Sequence, residues 1–237
     1  MSQTQAAIRA MSGSWPGAYG DLALWLDATT LSPGAVASWS DLSGNGRIAT
    51  QTVVNSRPTA SLTAMGGRPG VVFDGANDFL SLAALALTEF HLFVVLRRDA
   101  GATNGTVFQA GSSGSEASVV AINDDTASGP VFVGSTGRYA KGSCVDAGRA
   151  RVLRVSATSG GTSPSCFTVA DSTQSYTMTS LSSPYTSAPT ASRLGGAVVS
   201  GVSDRFFTGV ISEVILYTSL AAGADEPIIR GLAAKWL

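Results

Sequence analysis

Short apolar runs, many of them alternating with polar residues, recur along most of the chain and break at Asp, Asn, Gly or Ser. Those residues reverse a chain tightly, because they tolerate left-handed backbone angles or bond their own main chain. The first run predicts a strand from Asp21 to Leu26. Trp39 opens a second, closed by the Gly44-Asn45-Gly46 turn, and Val53-Val54 and Val71-Val72-Phe73 continue the sheet. Leu80 to Leu87 fits either a strand or a helical turn. Glu89 to Arg98 carries Phe90, Leu92, Phe93, Val94, Val95 and Leu96, which predicts a central strand covered on both faces. After a hairpin turn at 100–105, strands are predicted from Thr106 to Ala110 and near 117–122, 130–134 and 151–157.

The stretch from Ser156 to Ser192 is rich in Ser and Thr, a composition that also suits a linker. Yet Phe167, Val169, Tyr176 and Met178 alternate with small polar residues, so strands with a hydroxyl-rich outer face are expected. Val210 to Tyr217 is largely apolar on both faces and reads as an interior strand. Asp225-Glu226-Pro227 then opens a closing helix: Pro suits the first turn, and the acids sit at its positive end. Ile228, Ile229, Leu232 and Trp236 recur at helical spacing and pin it down. No internal repeat appears, so a single domain over residues 21–237 is expected, preceded by an arm of residues 1–20. Ala6 to Met11 could form a turn or two of helix before Gly13, Pro16, Gly17 and Gly20 stop it. Trp15 and Tyr19 belong either to a frayed terminus or to an arm that they anchor on a neighbouring subunit.

Composition narrows the partners. At 237 residues the chain can bury a two-sheet core without metal or disulfide staples. Charged residues are 13% and the formal net charge is −1, which leaves no basic stripe for nucleic acid or an anionic membrane. No stretch reaches the ~18 apolar residues of a membrane span. Met1 to Ala10 lacks the apolar run of a secretory signal. Cys144 and Cys166 are expected as two thiols, unless adjacent strands bring them together. His91 is the sole histidine and there is no Cys-x-x-Cys, so zinc is disfavoured.

Three phrases carry a resemblance: Trp25-Leu26-Asp27-Ala28, then Trp39-Ser40-Asp41-Leu42-Ser43-Gly44-Asn45-Gly46, then Phe73-Asp74-Gly75-Ala76-Asn77-Asp78-Phe79-Leu80, with Arg57-Pro58 between the last two. Leu194-Gly195-Gly196, Gly209-Val210-Ile211-Ser212-Glu213-Val214 and the closing Leu232 to Trp236 follow in order. Together they resemble the laminin-G-like branch of the concanavalin A-like jelly rolls over residues from about 20 to 237, although residues 100–190 agree only in strand rhythm. The resemblance implies an all-β, two-sheet antiparallel jelly-roll sandwich with a short C-terminal helix. It implies a structural role for Glu213, as a strand residue tied to a loop. It does not fix function, since the fold hosts many unrelated ones.

Glycoside hydrolysis needs two carboxylates facing the scissile bond. Relatives of this fold that hydrolyse glucans carry Glu, Asp and Glu on alternate residues of one strand. Here Glu89, Glu116, Glu213 and Glu226 form no such cluster. A serine hydrolase needs a base beside its nucleophile, and His91 opens a buried-looking strand. No glycine-rich turn runs into a helix with the lysine of a phosphate loop. On these grounds the chain is not expected to be an enzyme, and no cofactor is expected apart from calcium. Laminin-G-like domains often bind that ion through loop oxygens. Its candidate ligands are Asp41, Asn45, Asp74, Asn77 and Asp78, whose carboxylates could instead bond main-chain amides within their turns. Tyr139, Tyr176 and Tyr185 are the candidate sugar or partner contacts.

Two functions follow. The first is a structural protein of a virus particle, a bacteriophage capsid decoration or accessory virion protein, docking on other virion subunits or copies of itself. Jelly rolls of this kind, a single domain with its own Met1, no export signal, the arm and the low charge suggest it. It would be made in the host cytoplasm and reside in the virion. The alternative is a carbohydrate-binding or adhesion module, such as a tail-fibre receptor-binding or lectin domain, with a cell-surface glycan as partner.

Overall fold

The structure, a computed structural model, describes residues 15–85, 87, 89–99, 105–110, 120–125, 129–134, 137–140, 148–157, 165–169, 173–177, 192–199 and 202–237. Among them, two large antiparallel sheets pack as a jelly-roll sandwich and one helix closes the chain. The first sheet holds β1 (Gly20–Asp27), β2 (Gly34–Ala35), β5 (Thr59–Met65), β6 (Arg68–Asp74), β8 (Phe90–Arg98), β13 (Ala150–Ala157), β14 (Ser165–Val169), β15 (Thr173–Thr177) and β19 (Thr208–Leu220). The second holds β3 (Ser38–Trp39), β4 (Ala49–Thr50), β7 (Leu80–Leu82), β9 (Gly105–Ala110), β10 (Val120–Asp125), β11 (Gly129–Gly134), β12 (Gly137–Ala140) and β16 (Ser192–Leu194). A small hairpin, β17 (Ala197–Val199) with β18 (Val202–Asp204), stands apart from both.

β8 and β19 are the spine. Both read as nearly continuous apolar runs, and both are buried on both faces. One edge of β19 pairs with β8, while the other is shared: its first residues pair with β6 and its later ones with β1. Leu92, Val94 and Leu96 take one face of β8, with Val214 and Leu216 beside them, and meet the second sheet. Phe93 and Tyr217 take the opposite face, edge to face at 6.1 Å.

The helix α1 (Asp225–Trp236) covers that opposite face. Ile228, Leu232 and Trp236 are fully buried, as their spacing predicts. Its first turn is fixed by Arg154 of β13, which donates through Nε and Nη2 to the two oxygens of Asp225 at 3.0 and 2.7 Å. Its last turn is fixed by a buried carboxylate. Glu213 accepts from the indole N–H groups of Trp25 and Trp236 and from Lys235 Nζ at 2.7 Å, and Lys235 also reaches Asp27 at 2.6 Å. Glu213 therefore ties a helix, rather than a loop, to the sheet. No helix among the described residues is long and apolar enough to cross a membrane.

One predicted strand is absent. Val53 and Val54 lie in a turn and short 3₁₀ segment, 57% and 65% exposed, instead of continuing a sheet. Side chains satisfy this loop in place of a neighbouring strand: Gln51 accepts from Val53 N and donates to Phe79 O, and Arg57 donates to Gln51 O. The ambiguous Leu80 segment resolves as the short strand β7. Of the predicted turn at 100–105, Gly105 opens β9 instead and residues 100–104 lie outside the described residues, as do Cys144, Met178 and the first fourteen residues.

Candidate functional site

The second sheet presents its polar side outward. Phe108, Leu194 and Leu80 stand in register across β9, β16 and β7, and all three are buried against the first sheet. The adjacent row points the other way and runs Gln109, Arg193, Ser81, Thr50 and Ser38 across β9, β16, β7, β4 and β3. A guanidinium flanked by an amide and three hydroxyls thus crosses one face of the sandwich.

The hairpin β17–β18 borders this row, and side chains hold it there. Gln109 pairs with Val198 as a strand would: its Oε1 accepts from Val198 N at 2.7 Å and its Nε2 donates to Val198 O at 3.0 Å. Arg193 Nη1 donates to Ser203 Oγ at 2.9 Å and to Ala197 O at 3.5 Å. The Arg193 guanidinium carbon lies 4.2 Å from the centroid of the Phe79 ring, a cation–π contact. Phe206 lies beside Phe79 at 6.4 Å between centroids, and both rings are half-buried. Two backbone features allow this. A Cβ on Gly196 would sit 3.2 Å from Phe206 and from Phe79, so the two rings pack closely over the glycine. Arg205, at φ 53°, is the only non-glycine with left-handed φ among the described residues, and it turns the chain into Phe206.

Arg193 decides the electrostatics. Burial lowers its pKa, and no described carboxylate pairs with it. A half-buried guanidinium of that kind retains donor capacity toward an anion. Sequence reasoning missed this group, because Arg193, Phe79 and Phe206 come from three distant segments. Of the three, only Phe79 lay in a phrase that stood out.

The expected calcium ligands separate into two turns. Asp41 Oδ1 accepts from Trp25 N and Ser43 N, and its Oδ2 from Ser43 Oγ and Arg47 N, all between 2.8 and 3.0 Å. Asn45 donates to Leu22 O at 2.8 Å. In the other turn, Asp74 Oδ1 accepts from the amides of Ala76, Asn77 and Asp78, and Asp78 Oδ2 accepts from Asp74 N. Burial first, then the nearby Asp74 charge, raises the Asp78 pKa. Asp41 thus has both oxygens engaged in closing its turn, whereas Asp74 closes the other turn through Oδ1. No group of three or more metal-ligating His, Cys, Asp or Glu occurs among the described residues.

The remaining candidates fall elsewhere. Tyr139 lies on β12 and Tyr176 on β15, paired with Phe132 and Cys166 respectively, whereas Tyr185 is outside the described residues. Trp15 and Tyr19 pack on their own chain. Their rings meet edge to face at 5.8 Å, Trp15 lies against Gly231 of α1, and Tyr217 Oη donates to Pro16 O at 2.8 Å. His91 is buried beside Glu89 at 3.2 Å.

No protein-family model matches the chain, and no curated protein matches it. Solved structures do. The chain is similar to Trypanosoma rangeli sialidase, with TM-score 0.57 and 15% identity, over 98% of this chain and 38% of that one. It is also similar to Trypanosoma rangeli sialidase in complex with sialic acid, with TM-score 0.55 and 15% identity, over 90% and 33%. A further match is the Ruminococcus gnavus IT-sialidase CBM40 bound to alpha2,3 sialyllactose, with TM-score 0.48 and 13% identity, over 61% and 82%. The shared fold is a β-sandwich, and the chain spans about a third of the sialidase chains it matches.

These matches correct one expectation. The chain was expected not to be an enzyme, yet its fold recurs within chains of sialidases, so that exclusion is withdrawn. The physical reason lies in how carboxylates meet in a sheet. Carboxylates can also meet across neighbouring strands from distant parts of the sequence, so their absence from alternate residues of one strand excludes nothing. Asp27 and Glu213 face each other in this way, although that pair is buried and held by Lys235.

Proposed function

We propose that the chain is a carbohydrate-binding module that recognises an acidic glycan on the outer face of its second sheet. One observation carries the reading: Arg193, half-buried and without a described carboxylate partner, lies over Phe79 at the end of a row of hydroxyls. A carboxylate sugar matches that row. Its anion takes the open edge of the guanidinium, its hydroxyls meet Ser81 and Thr50, and its apolar ring face meets the exposed parts of Phe79 and Phe206. Sialic acid, bound to one of the similar sialidases, has this chemistry. The comparisons favour glycan recognition over the docking on virion subunits that the sequence reading placed first.

The test is calorimetric titration with alpha2,3 sialyllactose and with lactose, its neutral counterpart. Sialyllactose is expected to bind and lactose to bind far more weakly. Arg193→Ala should weaken sialyllactose at least tenfold, about 1.5–3 kcal/mol, the usual worth of a hydrogen bond to a charged group. Arg193→Lys keeps the charge but loses the planar fork, and should fall between. Equal binding of the two sugars, or full binding by a folded Arg193→Ala variant, refutes the reading.

A further inference from the structure

The motif from Trp39 to Gly46 is the most distinctive phrase of the sequence, and the site at Arg193 does not use it. Its residues build a different feature. A cleft of about 450 Å³ opens between the start of β1 and the 41–47 turn, lined by Asp21, Ser43, Asn45, Arg47, Thr218 and main chain of residues 20–23. That volume lies within the range of small-molecule sites.

The cleft is rigid where it matters. The Ala23 carbonyl accepts from Arg47 Nη1 at 2.7 Å, Asn45 Nδ2 at 3.3 Å and Ser43 Oγ at 3.4 Å. Asp41 holds the turn from behind with its four bonds. Arg47 is therefore fixed by one nitrogen, while its Nε and Nη2 make no hydrogen bond or ion pair with a described residue. Asp21, which also lines the cleft, accepts from Ser219 Oγ through Oδ2 at 2.7 Å, and its Oδ1 accepts from no described residue. A donor and an acceptor thus line one cleft, and no ion pair joins Asp21 to Arg47.

We propose that this cleft is a second ligand site, for a neutral sugar. Adjacent hydroxyls of one ring are donor and acceptor at once, so one hydroxyl donates to Asp21 Oδ1 while its neighbour accepts from Arg47. The opposite charges of Asp21 and Arg47 balance, which disfavours an ionic ligand. Thr218 and Asn45 extend the polar wall. Because the groups are held before the ligand arrives, little ordering cost opposes binding.

The site is independent of Arg193, and its test keeps the two apart. Heteronuclear NMR would follow the intact chain during titration with the methyl glycosides of glucose, galactose and mannose at millimolar concentration. At least one should give saturable shifts confined to the amides of Gly20–Ala23 and Ser43–Arg47. Asp21→Asn, at an exposed position outside the bonds that build the turn, should weaken that sugar at least tenfold. Arg47→Met should do the same, and its unshifted spectrum elsewhere would show that the turn survives. Absence of saturable shifts with all three sugars, or shifts untouched by Asp21→Asn, overturns the proposal. So does displacement of the neutral sugar by N-acetylneuraminic acid, which would merge the two sites.

Discussion

At the scale of single residues, the same side-chain types serve opposite ends. Asp41 and Asp74 accept main-chain amides and make turns, a role their Asp-x-Ser and Asp-Gly contexts foretold. Asp78 differs, because burial and the charge of Asp74 raise its pKa above the ordinary 3.8. A carboxyl whose folded pKa is raised contributes stability that is full below its unfolded pKa and lost as pH climbs through its folded one. Asp78→Asn keeps an oxygen for Asp74 N and removes the titration. The variant should therefore gain on the parent chain as pH rises from 3 to 7, with the two converging in acid. Urea unfolding across that range checks it, and a gap that widens toward acid contradicts the assignment. Arg193 illustrates the limit of reading residues from sequence. Its neighbours in the chain are Ser192 and Leu194, both buried, and nothing in that context marks an arginine without an anion.

At the scale of elements, apolar rhythm carried most of the fold. β8, β19 and α1 lie within a few residues of where the sequence places them, because each is long and its periodicity is unbroken. Val53 and Val54 misled, since two β-branched residues resemble a strand until Gln51 and Arg57 are seen satisfying the loop. The charged pin between α1 and the sheet was only half legible: Glu213 stood out as structural, but not its direct bond to Lys235, nor Asp27 brought beside it by the pairing of β1 with β19. That link predicts a cost. Lys235→Met would leave Glu213, fully buried, without its cation, and should destabilise by about 3 kcal/mol, the low end for a broken buried pair since Lys235 stays partly exposed. Trp236→Ala should cost roughly 3–5 kcal/mol through lost packing. Thermal unfolding measures both, and losses under about 1 kcal/mol would place α1 outside the cooperative core.

At the scale of the whole molecule, charge is sparse, and that shapes how an acidic glycan arrives. A net charge of −1 provides no attracting field, so association should proceed at an unsteered rate. Attraction is then confined to contact with Arg193, a short-range interaction partly shielded by burial. Raising salt from about 0.05 to 0.5 M shortens the Debye length from roughly 14 Å to 4 Å. The expected result is a modest loss of affinity for sialyllactose, a few-fold, expressed in the dissociation rate while the association rate stays nearly constant. In Arg193→Ala the residual binding should be indifferent to salt. Surface plasmon resonance at several salt concentrations separates the two rates. An association rate that falls tenfold would mean that a field from elsewhere on the surface guides the ligand, and the recognition face would then have to be sought around that charge instead of around Arg193.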